Sequence, residues 1–112
     1  MKVKILNKIW ELRFLPKAEL PKGYCGECDA PNIPGKEIRI SDDLKGELLL
    51  DTIIHEAMHG ALFHLGPCEA FIERAATDIA RIVWKPEVLK KVLDDPRAKS
   101  IILEVMRESV AE

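Results

Sequence analysis

The order of apolar residues in this 112-residue chain predicts an α+β fold: a short N-terminal three-stranded antiparallel sheet followed by four helices. Two observations carry that prediction. Apolar and polar residues alternate with period two in three runs up to residue 40, and from residue 41 the spacing changes to three and four, the period of a helix. A third observation, the placement of Gly and Pro between these runs, marks where each element stops.

Lys2-Val3-Lys4-Ile5-Leu6 and Ile9-Trp10-Glu11-Leu12-Arg13-Phe14 flank an Asn7-Lys8 turn and read as a hairpin with Val3 and Ile5 on one face. Residues 22–35, dense in Gly and Pro, read as an irregular loop, and Lys36-Glu37-Ile38-Arg39-Ile40 as the third strand. Ser41, Asp42 and Asp43 are cap candidates for a helix that carries Leu44, Leu48, Ile54, Met58 and Ala61 at helical spacing and stops at Leu65-Gly66-Pro67, with Gly46 able to delay its start. A second helix runs from about Cys68 to Trp84 on Phe71, Ala75, Ile79, Ile82 and Val83. Lys85-Pro86 ends it, and two shorter helices follow, 87–94 and, behind Asp95-Pro96, 97–110.

Composition narrows the class. With 47% hydrophobic and 32% charged residues the chain is neither disordered nor a disulfide scaffold, and its length suits one domain, 1–112. Three Cys cannot all pair within a chain, and no run approaches a membrane span, so a cytoplasmic protein without membrane partners is expected. A net charge of −2 argues against nucleic acid as a general partner. The charge is uneven: residues 1–22 carry six positive and two negative charges, residues 23–85 six and eleven. The basic N-terminal stretch is the one feature a DNA-associated protease would use.

The chemistry concentrates at His55-Glu56-Ala57-Met58-His59, the H-E-x-x-H pattern. Histidines four apart share a helix face and can meet one Zn²⁺, and the Glu beside the first is placed to act as a base. A chain of this composition would contain the pattern by chance about once in a hundred. A catalytic zinc takes three protein ligands. His64 points away from His59 on the same helix, so the third ligand comes from elsewhere. If the second helix folds back about Gly66, Glu73 stands level with His59. Glu69, one turn earlier, is the alternative. Thr77 and Asp51 could support the ligands, and Tyr24 and Arg74 could reach the site as oxyanion donors. The 36–40 strand is the candidate edge for an added peptide strand.

Three strands, an H-E-x-x-H helix and a Glu-bearing helix resemble the zincin metallopeptidases of gluzincin type, in which two His and a downstream Glu bind zinc. The stretch Glu73-Arg-Ala-Ala76-Thr77-Asp-Ile79-Ala80-Arg-Ile-Val83-Trp84-Lys-Pro86 is similar to the end of the core in ImmA/IrrE-type metallopeptidases, with Thr77 where Asn is usual. Small phage and prokaryotic proteins have this build. His-Glu-Ala-Met-His also resembles SprT-like proteins, which use a third His that this chain lacks after residue 64. The resemblance spans Lys36 to Pro86 and implies a zinc-dependent peptidase acting on a protein or peptide: His55, His59 and Glu73 as ligands, Glu56 as the catalytic general base.

Cys25-x-x-Cys28 could join Cys68 and His64 in a structural zinc site or cap the catalytic metal, but free, partly buried thiols account for it more simply. Leu93, Ile101, Ile102, Val105 and Met106 could pack on the core or form a homodimer face, or the tail could lie over the cleft. The competing function is a zinc-binding regulatory module with weak or latent proteolysis.

Overall fold

The first hairpin forms where the alternation places it. In the computed structural model, which describes residues 1–101 and 104, Lys2–Ile5 (β1) pairs antiparallel with Lys8–Leu15 (β2), Ile5 opposite Lys8. Leu6 and Asn7 close it at φ 48° and 64°, the left-handed pair that a two-residue hairpin turn demands.

The sheet is larger than expected and mixed. Gly26–Cys28 (β3) emerges from the presumed loop and Glu37–Ser41 (β4) follows, giving four strands in the order β1-β2-β4-β3. β2 and β4 run parallel, Phe14 opposite Ile40, whereas β3 and β4 run antiparallel. Parallel neighbours need a long crossover, and residues 16–36 supply it, laying β3 on the outer edge of β4 as they return. The expected edge strand is therefore interior: β4 is paired along both sides, and β3 is the edge.

Arg39 fastens that edge. Its guanidinium donates to Asp29 Oδ1 at 2.7 Å and Oδ2 at 3.2 Å, and to Glu27 and Glu37 at 3.1 Å each. Asp29 Oδ2 also accepts from the Glu37 amide at 2.8 Å. Charge-assisted, forked pairs of this kind are the stronger class of hydrogen bond.

The inner face of the sheet carries the core: Trp10, Leu12, Ile38 and Ile40, with Val3, Ile5, Cys28, Leu44, Leu49 and Ile53 packed against them. Burying each large side chain contributes about 1.5–3 kcal/mol. Helix Gly46–Ala61 (α1) lies on this face against β3, β4 and β1. Its start is at Gly46, not at the Ser41 caps, because Ser41 completes β4 and its hydroxyl bonds Asp43. It stops at Ala61, before His64, and a 3₁₀ turn over Phe63–Leu65 follows, closed by Gly66 at φ 56°.

Helix Glu69–Val83 (α2) buries Ile72, Ala76 and Ala80, one residue round from the expected stripe; Phe71, Ile79 and Ile82 are exposed. Where the sequence suggests a single domain, the chain divides into two units, Met1–Arg81 and Ile82–Glu112. The second holds Pro86–Leu93 (α3) and a further helical stretch from Pro96, whose Arg97 amide donates to Asp95 Oδ1 at 2.8 Å as the cap reading requires. Ile102, Val105 and Met106 lie outside the described residues. No helix among the described residues is long and apolar enough to cross a membrane.

The Arg39 fork yields a pH prediction. Hydrogen bonding to Arg39, and then to the Glu37 amide, holds the Asp29 carboxyl below its ordinary value despite the opposing effect of burial. A depressed carboxyl stabilises the fold above its unfolded pKa of about 3.9, and that contribution disappears as pH falls through the folded value. Asp29→Asn should cost about 1–3 kcal/mol in urea unfolding at pH 7. It should also show a shallower loss of stability than the parent chain below about pH 4.

Candidate metal centre

The site begins with how α1 sits on the sheet. Thr52, Glu56 and Gly60, four residues apart, form its fully buried stripe. Gly60 permits the closest approach: a Cβ there would lie 3.1 Å from Trp10 Cζ2. With that stripe against the sheet, residues 55 and 59 fall on the neighbouring flank, about 100° and about 60° round from Glu56, since each helical step turns through about 100°.

The two imidazoles converge there. His55 Nε2 and His59 Nε2 are 3.1 Å apart. The Glu69 carboxylate at the start of α2 lies across both, Oε1 2.7 Å from His55 Nε2 and Oε2 3.0 Å from His59 Nε2. Glu56 completes the cluster: ligand atoms of His55, Glu56 and His59 all lie within 4.8 Å of one another, close enough to hold a metal ion.

The donor set fits a divalent ion. Zn–N bonds of about 2.0–2.1 Å at tetrahedral angles put two nitrogens about 3.3 Å apart, close to the separation found. Imidazole with carboxylate suits Zn²⁺ and other first-row divalent ions.

The carboxylate that meets the two histidines is that of Glu69, the alternative in the sequence, and not that of Glu73. The cause is the register of α2. Thr77 Oγ1 donates to Asp51 Oδ2 at 2.8 Å, and Glu69 meets His59. Both pairs are symmetric about residue 64, whereas the Glu73 assignment assumed symmetry about Gly66. α1 ends early and the 3₁₀ turn uses residues the simple hairpin would have left helical, so α2 is displaced by one turn. Glu73 lines the same cleft, and by that register it stands level with His55. Thr77 is level with Asp51, not with His55, and the pair forms a polar rung between the two helices.

Glu56 is the electrostatic anomaly. It is 7% exposed and its carboxylate opens on the cleft, so that no buried side-chain oxygen among the described residues is left unpaired. Desolvation pushes the carboxyl up to about 7; His55 pulls it down and Glu69 and Glu27 push it further up. Gly26 makes the room: a Cβ there would lie 3.1 Å from Glu56 Cγ and 3.1 Å from the Arg39 carbonyl. Perturbed carboxyls beside metal-capable histidines are typical of working sites.

Other candidates sort themselves around this centre. Tyr24, Arg74 and Cys25 line the cleft. His64 sits exposed against Phe63, outside it. The three Cys are free, and among the described residues none of them belongs to a group close enough to hold a metal ion. Cys28 packs into the core, where burial and the Glu56 charge push its thiol up to about 12. The signal missed in the sequence was β3 itself: Gly26 shelters Glu56, and the Cys25 to Asp29 stretch forms one wall of the cleft. Comparison with protein-family models, curated proteins and solved structures returns no match.

Two outcomes test this geometry. Glu69→Gln should weaken Zn²⁺ binding, measured by chelator competition, by more than the roughly 10–100-fold loss typical of a supporting residue, whereas Glu73→Gln should stay within that range. Gly26→Ala should force β3 away from Glu56, lowering stability by about 1–3 kcal/mol, read by chemical denaturation.

Proposed function

We propose that this chain is a zinc-dependent peptidase in which His55, His59 and Glu69 hold the ion and Glu56 is the general base. The observation that carries the reading is the largely buried carboxylate of Glu56, opening on the cleft directly beside a pair of imidazoles bridged by a third carboxylate. Zinc in such a set supplies a water of lowered pKa and polarises a carbonyl. Glu56, adjacent to His55 and lining the cleft, takes a proton from the attacking water and returns it to the leaving amine.

Polypeptide is the favoured substrate because β3 is an edge strand. Residues 25, 27 and 29 turn their backbone groups toward β4, as Ser41 N to Cys25 O at 2.8 Å and Asp29 N to Glu37 O at 2.9 Å show. The alternation of an antiparallel ladder leaves the Gly26 and Cys28 groups pointing off the edge, where an extended chain can add as a further strand. The function of the 36–40 strand in the sequence reading passes to β3.

Two histidines and one carboxylate also suit Fe²⁺. Glu56 favours hydrolysis, because a proton-carrying carboxylate beside the donor set is what amide cleavage needs. The regulatory-module reading keeps the same metal site but predicts no turnover.

Glu56→Gln separates these readings. The variant should bind one zinc per chain with parent-like affinity while cleavage of an unfolded protein substrate falls by about 10²–10⁴-fold. Parent protein that binds zinc but shows no cleavage above the Glu56→Gln level would establish the regulatory module instead.

A further inference from the structure

We propose that the cleft selects extended polypeptide segments that combine large apolar side chains with Lys or Arg. This rests on the peptidase reading only in treating the bound segment as substrate; the recognition surface is argued independently of turnover.

The size of the cleft points to a polymer. Its volume of about 1110 Å³ exceeds the range of about 300–1,000 Å³ usual for small-molecule sites. One wall is the β3 edge and the segment before it; the other is the flank of α1 with the first turns of α2. Tyr24, Leu48 and Phe63 line it and remain 56%, 56% and 52% exposed. Leu48 belongs to the first turn of α1 and Phe63 follows its end. At 1.5 Å per residue the helix carries these two anchors about 20 Å apart. An extended chain covers that distance in about six residues at 3.3 Å each. A single amino-acid side chain cannot reach both.

Charge supplies the second half of the specificity. Six carboxylates line the cleft against the guanidinium groups of Arg39 and Arg74. Arg39 is engaged by Asp29, Glu27 and Glu37, Asp51 accepts from Thr77, and Glu69 lies on the histidines. Glu73 is exposed in the cleft wall one turn beyond Glu69. A seated dication would offset two of the four excess negative charges, so the cleft keeps a negative field. Such a field concentrates cationic segments and repels acidic ones. The apolar anchors at its ends then hold the same segments by burial.

Labelled ten-residue peptides of matched sequence, one set with Lys and one with Glu around a Phe-Leu centre, test this in two arms. In the binding arm, fluorescence anisotropy with zinc-loaded Glu56→Gln protein should show the Lys peptide bound at least about tenfold tighter than the Glu peptide, a gap that closes between 0.05 and 0.5 M salt. Phe63→Ala and Leu48→Ala, both at exposed positions, should each weaken binding of the Lys peptide several-fold, and Glu73→Gln should narrow the Lys-over-Glu gap. In the cleavage arm, parent protein should cut the Lys peptide with the lower KM. Equal binding of the two peptides, preference for the Glu peptide, or no effect of the Phe63 and Leu48 variants overturns the proposal even if both peptides are cut. Selective binding without cleavage overturns the peptidase reading and leaves this one standing. Neither binding nor cleavage overturns both.

Discussion

The seating of α1 on the inner face of the sheet decides where every group in the cleft stands. Gly60 lets the helix press against the Trp10 ring, and Gly26 lets β3 pass over Glu56. Those two contacts set which face of the helix meets the sheet. Glu56 must point under the edge strand, and the flank bearing His55 and His59 must face outward, toward α2. A larger side chain at either glycine would move the histidines as well as Glu56, because all three are fixed to one helix. The chemistry is therefore a consequence of packing between a helix and a sheet.

The second determinant is the register of α2. Few polar rungs join it to α1, namely Thr77 on Asp51 and Glu69 on the two histidines. Its buried stripe is small, with Ala76 and Ala80 beside Ile72, and small side chains allow close approach while specifying sliding position only weakly. Polar pairs of defined length supply the register that the alanines do not. The same feature explains why Glu69, and not Glu73, meets the histidines. Helical periodicity identifies that a Glu-bearing helix follows the H-E-x-x-H helix, but the height of one against the other depends on how many residues the turn consumes. A 3₁₀ turn and a left-handed Gly66 are not visible in periodicity, and one helical turn separates Glu69 from Glu73.

Legibility varied with the physical origin of each element. The hairpin, β4, α1 and α3 are carried by local pattern, so alternation and helical spacing located them to within a few residues. The pair His55 and His59 with Glu56 was legible for the same reason: its geometry is internal to one helix. β3 was not, because Gly26-Glu27-Cys28 has no apolar alternation and owes its extended form to partners elsewhere, the β4 ladder and the Arg39 fork. The parallel pairing of β2 with β4 is likewise a property of the crossover, and it turned the expected edge strand into an interior one. The stripe of α2 was misplaced by one position because the large residues Phe71, Ile79 and Ile82 outweigh two alanines on any hydropathy pattern, although the alanines are what is buried.

The balance of costs at Glu56 argues that the cleft is built for something. A carboxylate pressed between a helix and a strand, 7% exposed and opening on the cleft, is costly to ionise, and a Leu at this helix position would add to the core rather than detract from it. The fold accepts the cost on one side and spends a bidentate Arg39 network on the other to keep β3 close over it. Packing alone would favour neither choice. A cation between the two imidazoles and the Glu69 carboxylate would relieve the first cost directly, since a positive charge beside Glu56 favours its ionised form. The same cation would also separate the crowded nitrogens and oxygens with bonds in place of close contacts. A cation bound there and the fold would thus stabilise each other, since a ligand that binds only the native state adds its binding free energy to the stability of that state.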